Sequence, residues 1–564
     1  MKMLPLAREI WEAKYRFAEN GERDIRASWR RVAGAVAAPE ADSARWRAAF
    51  ERILDGFRFL PGGRILAGAG TGRDVTLFNC FVAGPVVDSI DGILRSLHET
   101  AVTMQQGGGV GLDFSRLRPA GTAAVRTGRV ASGPVTFLHI WDALCATLLS
   151  TSTRRGAMMA TLRCDHPDIQ GFINAKRDPT SLRNFNLSVL INDDFMRAVD
   201  ADDRWHFHFA ADPGGNSGSM PARDLWRELC EAAHATAEPG VLFVDTINRS
   251  NNLRYCESIS ATNPCGEIPL PPFGACDLGS LNLVRFVEAP FTRRSRLDIE
   301  SLAGCVPQAV RFLDNVIDIS RFPLEAQAEQ ARRTRRVGLG FTGLADTLAM
   351  LGLRYDSDEA RALAAAALEA IRDAAYGASV DLAREKGAFP ALERDRYLGA
   401  PFVSNLPGWL RDRIAAHGIR NSHLLAIAPA GSISLLAGNV SSGIEPIYAL
   451  EARRCVRDRT LAVREYPARD PAYAAWLAIA PDGADVPDAF VTAEALPARA
   501  HLEMQARLQP FVDNAISKTV TLPPEAGPDD VSRLFREAFT LGLKGCTVFR
   551  AGGCRGEVIS ACDA

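Results

Sequence analysis

The stretch 261–283, "ATNPCGEIPLPPFGACDLGSLNL", holds Cys265 and Cys276 eleven positions apart, with Pro269, Pro271, Pro272 and Gly274 between them. Proline removes a backbone donor and glycine resists helical ordering, so this stretch is not a helix. Pro264 and Gly266 favour a turn, which places the Cys265 side chain at a loop tip. Two residues to either side stand Asn263, a donor and an acceptor, and Glu267, a carboxylate able to take a proton. The five residues "NPCGE" alone read equally well as a loop with one buried cysteine and a capping glutamate. The segment before Cys276 must fold back, so both thiols can reach one pocket.

The whole chain sets the frame for that loop. Its 564 residues are 47% hydrophobic, enough for a large core. A formal net charge of −2, with 23% charged residues, gives no electrostatic footprint for nucleic acid. The N-terminus is amphipathic and charged, and no apolar run approaches the roughly 18 residues of a membrane span. The expectation is a cytoplasmic protein, whose twelve cysteines are mostly reduced. No paired metal-ligand spacing occurs among them. Cys164 and His166 stand close together but lack a second pair, so no metal site is expected.

Along the chain, residues 1–57 carry apolar residues at helical spacing, 59–74 read as a glycine-rich loop, and 75–86 as a strand. Then elements alternate: a helix from about Asp91, helices near 135–149 and 223–235, a strand at 185–191, and helices at 298–319 and 358–386. "LKGCTVF" (543–549) is a last short strand, and the Ala/Pro/Asp-rich region 466–500 reads as a surface insertion. Alternation of this kind indicates a parallel α/β architecture.

Three further motifs bear on chemistry. "LFNC" ends in Cys80, which alone reads as a core cysteine. "PAGSIS" (429–434) follows an apolar run. The amides of Ala430, Gly431, Ser432, Ile433 and Ser434, with the two serine hydroxyls, could cradle a polyphosphate, although an ordinary N-capped turn has the same composition. "GGGVG" (107–111) permits close backbone approach but lacks a dinucleotide-binding spacing.

Together these pieces resemble a ribonucleotide reductase large chain, and most of all the adenosylcobalamin-dependent class II. The resemblance runs through "KYRF", "FLPGGRILAGAGT", "LFNCFV", "GGGVGLDFSRLRP", "NFNLSV", "NPCGEIPL", "CDLGSLNL", "RRVGLGFTGLADTL", "PAGSIS", "SSGIEP" and "KGCTVFR", in that order. It implies a ten-stranded α/β barrel of two five-stranded parallel halves with a central finger loop. It implies an N-terminal helical segment over 1–74, the barrel over 75–553 with its finger near 261–283, and a flexible tail over 554–564. "NPCGE" would be the finger tip and Cys276 its returning limb.

The activity so implied is radical reduction of ribonucleoside diphosphates to 2′-deoxyribonucleoside diphosphates. Cys265 would carry the thiyl radical, Glu267 would act as general base, Asn263 would orient the substrate, and Cys80 with Cys276 would supply two electrons and end as a disulfide. Asn79 and Gly108 fall where the family contacts substrate, and residues 430–434 match its phosphate-binding loop. Thr547, Val548 and Phe549 stand where a partner-dependent large chain carries its tyrosine relay, and no tyrosine follows Tyr473, which leaves adenosylcobalamin as the radical source. No short motif places the cobalamin contacts, and a histidine cobalt ligand is not implicated.

The expected partners are the nucleotide substrate, a dNTP or ATP specificity effector at a homodimer interface, and thioredoxin or a similar reductant. Cys562 and Cys554 near the chain end would form the redox shuttle, or else are incidental. The chain begins almost directly with the helical segment, so shut-off by dATP is not expected. A class I-type large chain with an unusual relay, a silent nucleotide-binding paralogue and a plain thiol oxidoreductase are the alternatives. The complete set of three cysteines, Asn263 and Glu267 argues against a silent paralogue, and the phosphate loop against a plain oxidoreductase.

Overall fold

A computed structural model describes residues 3–124, 129–148, 157–209, 218–457 and 463–550. Ten strands join in one sheet: β1 (Phe59–Pro61), β2 (Cys80–Val82), β3 (Gly109–Asp113), β4 (Met158–Arg163), β5 (Phe185–Ile191), β6 (Gly240–Phe243), β7 (Ala275–Asn282), β8 (Val337–Thr342), β9 (Thr519–Leu522) and β10 (Gly545–Arg550). From β2 to β6 each strand runs parallel to the next. Strands buried on both faces are expected to be apolar throughout, as "FNLSVLI" of β5 largely is.

The second half starts from β7, parallel to β8. An extended segment at 424–427 continues it, with Leu425 bridged in parallel to Leu339 of β8 and Ile427 to Ile516, just ahead of β9. β9 is parallel to β10. The halves meet at two antiparallel seams, β6 with β10 and β7 with β2. The ring of staves therefore closes, which removes sheet edges. β1 lies outside this count, antiparallel along β7.

Side chains alternate across the wall. Cys80 and Val82 of β2 and Cys276 and Leu278 of β7 cluster inside the ring with Ala261, Ile268 and Leu270 of the finger. Phe81, Val110 and Leu112 instead join the large outer core beneath the helices. The Asp513 carboxylate fixes the irregular stave at 424–427. It accepts from the amides of Leu424 and Leu425, each at 2.8 Å, and from the Tyr376 hydroxyl at 2.7 Å.

The N-terminal helices Ile25–Ala37 and Ser43–Leu54 are capped by Asp24 and Asp42, whose carboxylates accept from the amides of Ala27 and Arg45. They dock on the helix Ile299–Ile319 through Phe50 edge-on to Phe312 at 5.2 Å and an ion pair of Glu40 with Arg311 at 3.0 Å.

Local differences from the sequence reading have simple causes. The glycine-rich stretch 59–74 is not all loop, because β1 and the helix Gly63–Gly68 lie within it. The strand expected over 75–86 shortens to β2, which pairs only where β7 and β3 flank it. The region 466–500 is not simply superficial: Trp476 and Phe490 are buried against each other, and Phe291 stacks on Phe490. Among the described residues no helix is long and apolar enough to cross a membrane.

A Cβ at Gly111 of β3 would stand 1.9 Å from the Thr262 carbonyl oxygen, a backbone atom of the finger. Gly111→Ala is therefore expected to push the finger out of register and to destabilise the protein by roughly 1–3 kcal/mol, the usual cost of overpacking. Thermal unfolding of the two proteins side by side checks this; an unchanged melting temperature contradicts the close contact.

Candidate active site

The finger is the link between the two half-barrels, rising after β6 and returning into β7. Its stem is a small antiparallel ladder, Ala261–Thr262 against Pro269–Leu270. Backbone buried inside a barrel needs partners for its polar groups. The staves supply them. Thr161 Oγ1 of β4 donates to the Ser260 carbonyl at 2.8 Å, and Asn186 Nδ2 of β5 to the Pro264 carbonyl at 2.7 Å. Arg336, just before β8, donates to the Pro269 carbonyl at 2.9 Å, and the Ala515 amide to the Glu267 carbonyl at 2.9 Å. The turn closes at Gly266, whose φ of +84° is a conformation that favours glycine.

At the tip, Asn263 is locked by its own loop. Its Oδ1 accepts from the Ile268 amide at 2.9 Å and the Thr262 hydroxyl at 3.1 Å. That fixes which end of the amide faces the site: Nδ2 donates to Cys80 Sγ at 3.2 Å. Cys80 in turn donates to Glu267 Oε1 at 3.8 Å. Cys276 is the register partner of Cys80 across the β2–β7 seam. Facing residues in an antiparallel pair have Cα atoms roughly 4.5–5.5 Å apart, inside the span a disulfide bridges. Both thiols are free and buried, and Cys265 is the exposed thiol of the set. The finger resemblance put Cys276 on the returning limb; the structure puts it one step further, in stave β7.

Burial sets the electrostatics. It pushes the Cys80 thiol well above the usual range, with Glu267, Cys276 and Cys265 adding to the effect and the Asn263 amide opposing it. Burial does the same to Cys276, with Asp277 adding and Arg336 opposing. The Glu267 carboxyl is raised to about 7 by burial, against hydrogen bonds from Asn263, its own amide and Cys80. Two buried oxygens beside Cys80, Glu267 Oε2 and Asn79 Oδ1, have no hydrogen-bond partner among the described residues. Such acceptors suit a ligand that brings hydroxyl donors.

The other expected residues are placed as follows. Gly108 is packed against protein: its amide donates to the Thr103 carbonyl at 3.0 Å, and a Cβ there would meet the Phe81 ring at 2.6 Å. Residues 431–436 form a short helix. The Ala430 amide donates to Ser442 Oγ at 2.7 Å, and those of Ile433 and Ser434 to the Ala430 carbonyl. The amides of Gly431 and Ser432 remain at the helix start. The Ser434 hydroxyl donates to the Gly431 carbonyl at 2.8 Å, so Ser432 is the half-exposed hydroxyl of the pair expected to serve a phosphate. Cys554, Cys562 and most of "TLLSTSTRRGA" lie outside the described residues.

Thr161, Asn186 and Arg336 hold the finger and were not singled out from sequence. The signal was there: a polar residue inside a largely apolar strand, and twin arginines ahead of "VGLGF". Arg335 pairs outward with Asp314 at 2.8 Å, and Arg336 turns inward to Glu257.

Comparison with known proteins identifies the family. The family described as "Ribonucleotide reductase, barrel domain" matches residues 78–549, and "Ribonucleotide reductase, all-alpha domain" matches residues 3–74. A vitamin B12-dependent ribonucleoside-diphosphate reductase of Mycobacterium tuberculosis is 40% identical over 94% of this chain and 76% of its own length. The protein of that name in Thermoplasma acidophilum is 37% identical over 91% of this chain and 66% of its own length. A vitamin B12-dependent ribonucleotide reductase of Streptomyces avermitilis is 30% identical over 87% of this chain and 58% of its length.

The raised Glu267 carboxyl has a consequence for stability. Its folded value, about 7, lies above the ordinary 4.5, so the protonated form is the one the fold favours. That stability is complete below pH 4.5 and is lost as pH rises towards and through 7. Glu267→Gln stays neutral throughout. It should match wild type at low pH and exceed it by roughly 3 kcal/mol above pH 7, since each pKa unit is worth about 1.4 kcal/mol. Chemical unfolding of both proteins from pH 4.5 to 8.5 measures the gap; a constant gap contradicts the shift.

Proposed function

Because the chain belongs to the ribonucleotide reductase family, we propose that it reduces ribonucleoside diphosphates to 2′-deoxyribonucleoside diphosphates with adenosylcobalamin as cofactor. The observation that carries this reading is the convergence of Cys80, Asn263, Glu267 and Cys276 on one buried cluster, with Cys265 exposed on the turn above it. The accessibility of Cys265 beside four buried partners fits a bulky cofactor that must reach one thiol and not the others. Bound adenosylcobalamin supplies the one-electron chemistry that removes the hydrogen atom of that thiol.

The chain's own residues do the rest. The Cys265 sulfur takes the hydrogen atom from C3′ of the ribose, and Glu267 takes the 3′-hydroxyl proton. The radical at C3′ weakens the neighbouring C2′–O bond. The 2′-oxygen leaves as water with one proton from the Cys80–Cys276 pair, the pair's other hydrogen goes to C2′, its two electrons reduce the sugar as the pair becomes a disulfide, and Glu267 returns its proton to the 3′-oxygen. Cys265 then returns its hydrogen atom to C3′. Neutral buried thiols suit donors of hydrogen. The orphaned Glu267 Oε2 and Asn79 Oδ1 suit acceptors for ribose hydroxyls, and the 430–434 loop suits the phosphates.

The same reading keeps the division into a helical segment to residue 74, a barrel over 75–553 and a tail from 554. It gives Cys562, with Cys554, the task of re-reducing the internal pair for a thioredoxin-type donor. It also assigns the specificity effector to a homodimer interface.

Anaerobic turnover of CDP and CTP by this chain with a dithiol, with and without adenosylcobalamin, tests the proposal. Deoxynucleotide should form only with the cofactor and with no second subunit. A requirement for a metal-bearing partner contradicts it. Cys265→Ser should abolish product, whereas Cys80→Ser or Cys276→Ser should leave radical initiation intact and block clean reduction.

Glu267 adds a pH signature. A base must be ionised, so the rate should rise through a pKa near 7. Glu267→Gln should lose roughly 10²–10⁴-fold, together with that limb. A wild-type rate flat from pH 6 to 8 removes Glu267 as the base.

A further inference from the structure

A tyrosine of the N-terminal helical segment touches the loop assigned above to phosphate. Tyr15 is 5% exposed, and its Oη lies 2.6 Å from Ser432 Oγ, across 417 positions of sequence. Gly63 faces the same pair: a Cβ there would stand 3.2 Å from Tyr15 Oη and 3.9 Å from Ser432 Oγ. Its neighbour Gly62 lies against Asn79, where a Cβ would stand 3.2 Å from Asn79 Oδ1, and its amide is tied to the Leu278 carbonyl at 2.7 Å. Gly62–Gly63 is thus a strip of backbone without side chains. It leads from the residue beside Cys80 to the Tyr15–Ser432 pair.

Two hydroxyls this close share one hydrogen, and the second hydrogen must point elsewhere. A phosphate group offers only acceptors at its charged oxygens. If Ser432 gives its hydrogen to phosphate, Tyr15 must donate to Ser432 Oγ. Ser434 is not equivalent, since its hydroxyl is already committed to the Gly431 carbonyl. A chain of two hydroxyl donors ending on an anion is polarised along its length, which strengthens the last bond.

We propose that Tyr15 is a positioning residue for substrate phosphate, holding Ser432 with its hydrogen turned to the ligand. The N-terminal helical segment then contributes to substrate affinity and does more than cover the barrel. The proposal rests on the reading of 430–434 as the phosphate loop.

Steady-state kinetics with CDP on the cofactor-loaded enzyme tests it through three variants. Ser432→Ala and Tyr15→Phe should each raise KM roughly five- to tenfold, the cost of one such bond, with kcat within about twofold of wild type. The double variant should be no worse than Ser432→Ala alone, because both remove one hydroxyl chain. A residue of merely structural importance would lower kcat and melting temperature together. Gly63→Ala, whose Cβ crowds the pair, should show the same KM signature and serves if Tyr15→Phe does not fold. If Ser432→Ala raises KM while Tyr15→Phe and Gly63→Ala do not, Tyr15 has no such role and the phosphate loop stands. If Ser432→Ala leaves KM unchanged, the phosphate reading of the loop fails, and the role of Tyr15 with it.

Discussion

The carbonyl oxygen of Thr262 occupies the space a side chain at position 111 would fill. Much of the architecture follows from that contact. A ring of ten staves is wide enough to hold a finger of chain only if its wall is thin where the finger passes, and glycine is the one residue that thins it. The opposite half makes the same concession: at Gly340 of β8 a Cβ would stand 2.2 Å from the Ala426 carbonyl, so the irregular stave can pack tightly against its neighbour. Glycine within a strand weakens it. Here the loss is offset by the hydrogen bonds that Thr161, Asn186, Arg336 and the Ala515 amide make to the inserted chain.

A loop held on both sides by the barrel wall is rigid in a way a surface loop is not. Asn263 illustrates this. Its oxygen is taken by two donors of the finger itself, so its nitrogen can only face Cys80. Backbone geometry thereby sets side-chain polarity in the site. Side chains locked in this way on a rigid frame hold their orientation more closely than those of a surface loop.

How much of this was legible in the sequence differs by scale. The α/β class, the long helices and the strand over 185–191 follow from periodicity, because burial on one or both faces imposes it. The loop position of Cys265 follows from proline and glycine around it. The pairing of Cys80 with Cys276 does not, since residues 196 positions apart in sequence meet only through strand register. Order among the motifs, and not any one of them, carried the family resemblance. Thr161 and Asn186 escaped because a polar residue within an apolar strand is a pattern that surface-exposed strands share, and Arg336 because it sits in a run of arginines that reads as a solvated one. Tyr15 escaped for a different reason: its partner Ser432 lies 417 positions away in sequence.

The seam between the half-barrels explains why the two opposed thiols sit where they do. Within each half the neighbours are parallel, and a parallel pair has evenly spaced, slanted hydrogen bonds. At an antiparallel seam two residues stand directly opposite one another at a separation a disulfide can span. The β6–β10 seam offers a second such place, and there Cys546 faces Val241. At the β2–β7 seam both facing residues are cysteines, and the finger arises from the link that feeds β7, so the turn bearing Cys265 and one member of the pair, Cys276, belong to one continuous stretch of chain. Joining two parallel half-barrels through antiparallel seams thus creates directly facing residue pairs at both junctions, and at one of them both residues are cysteines.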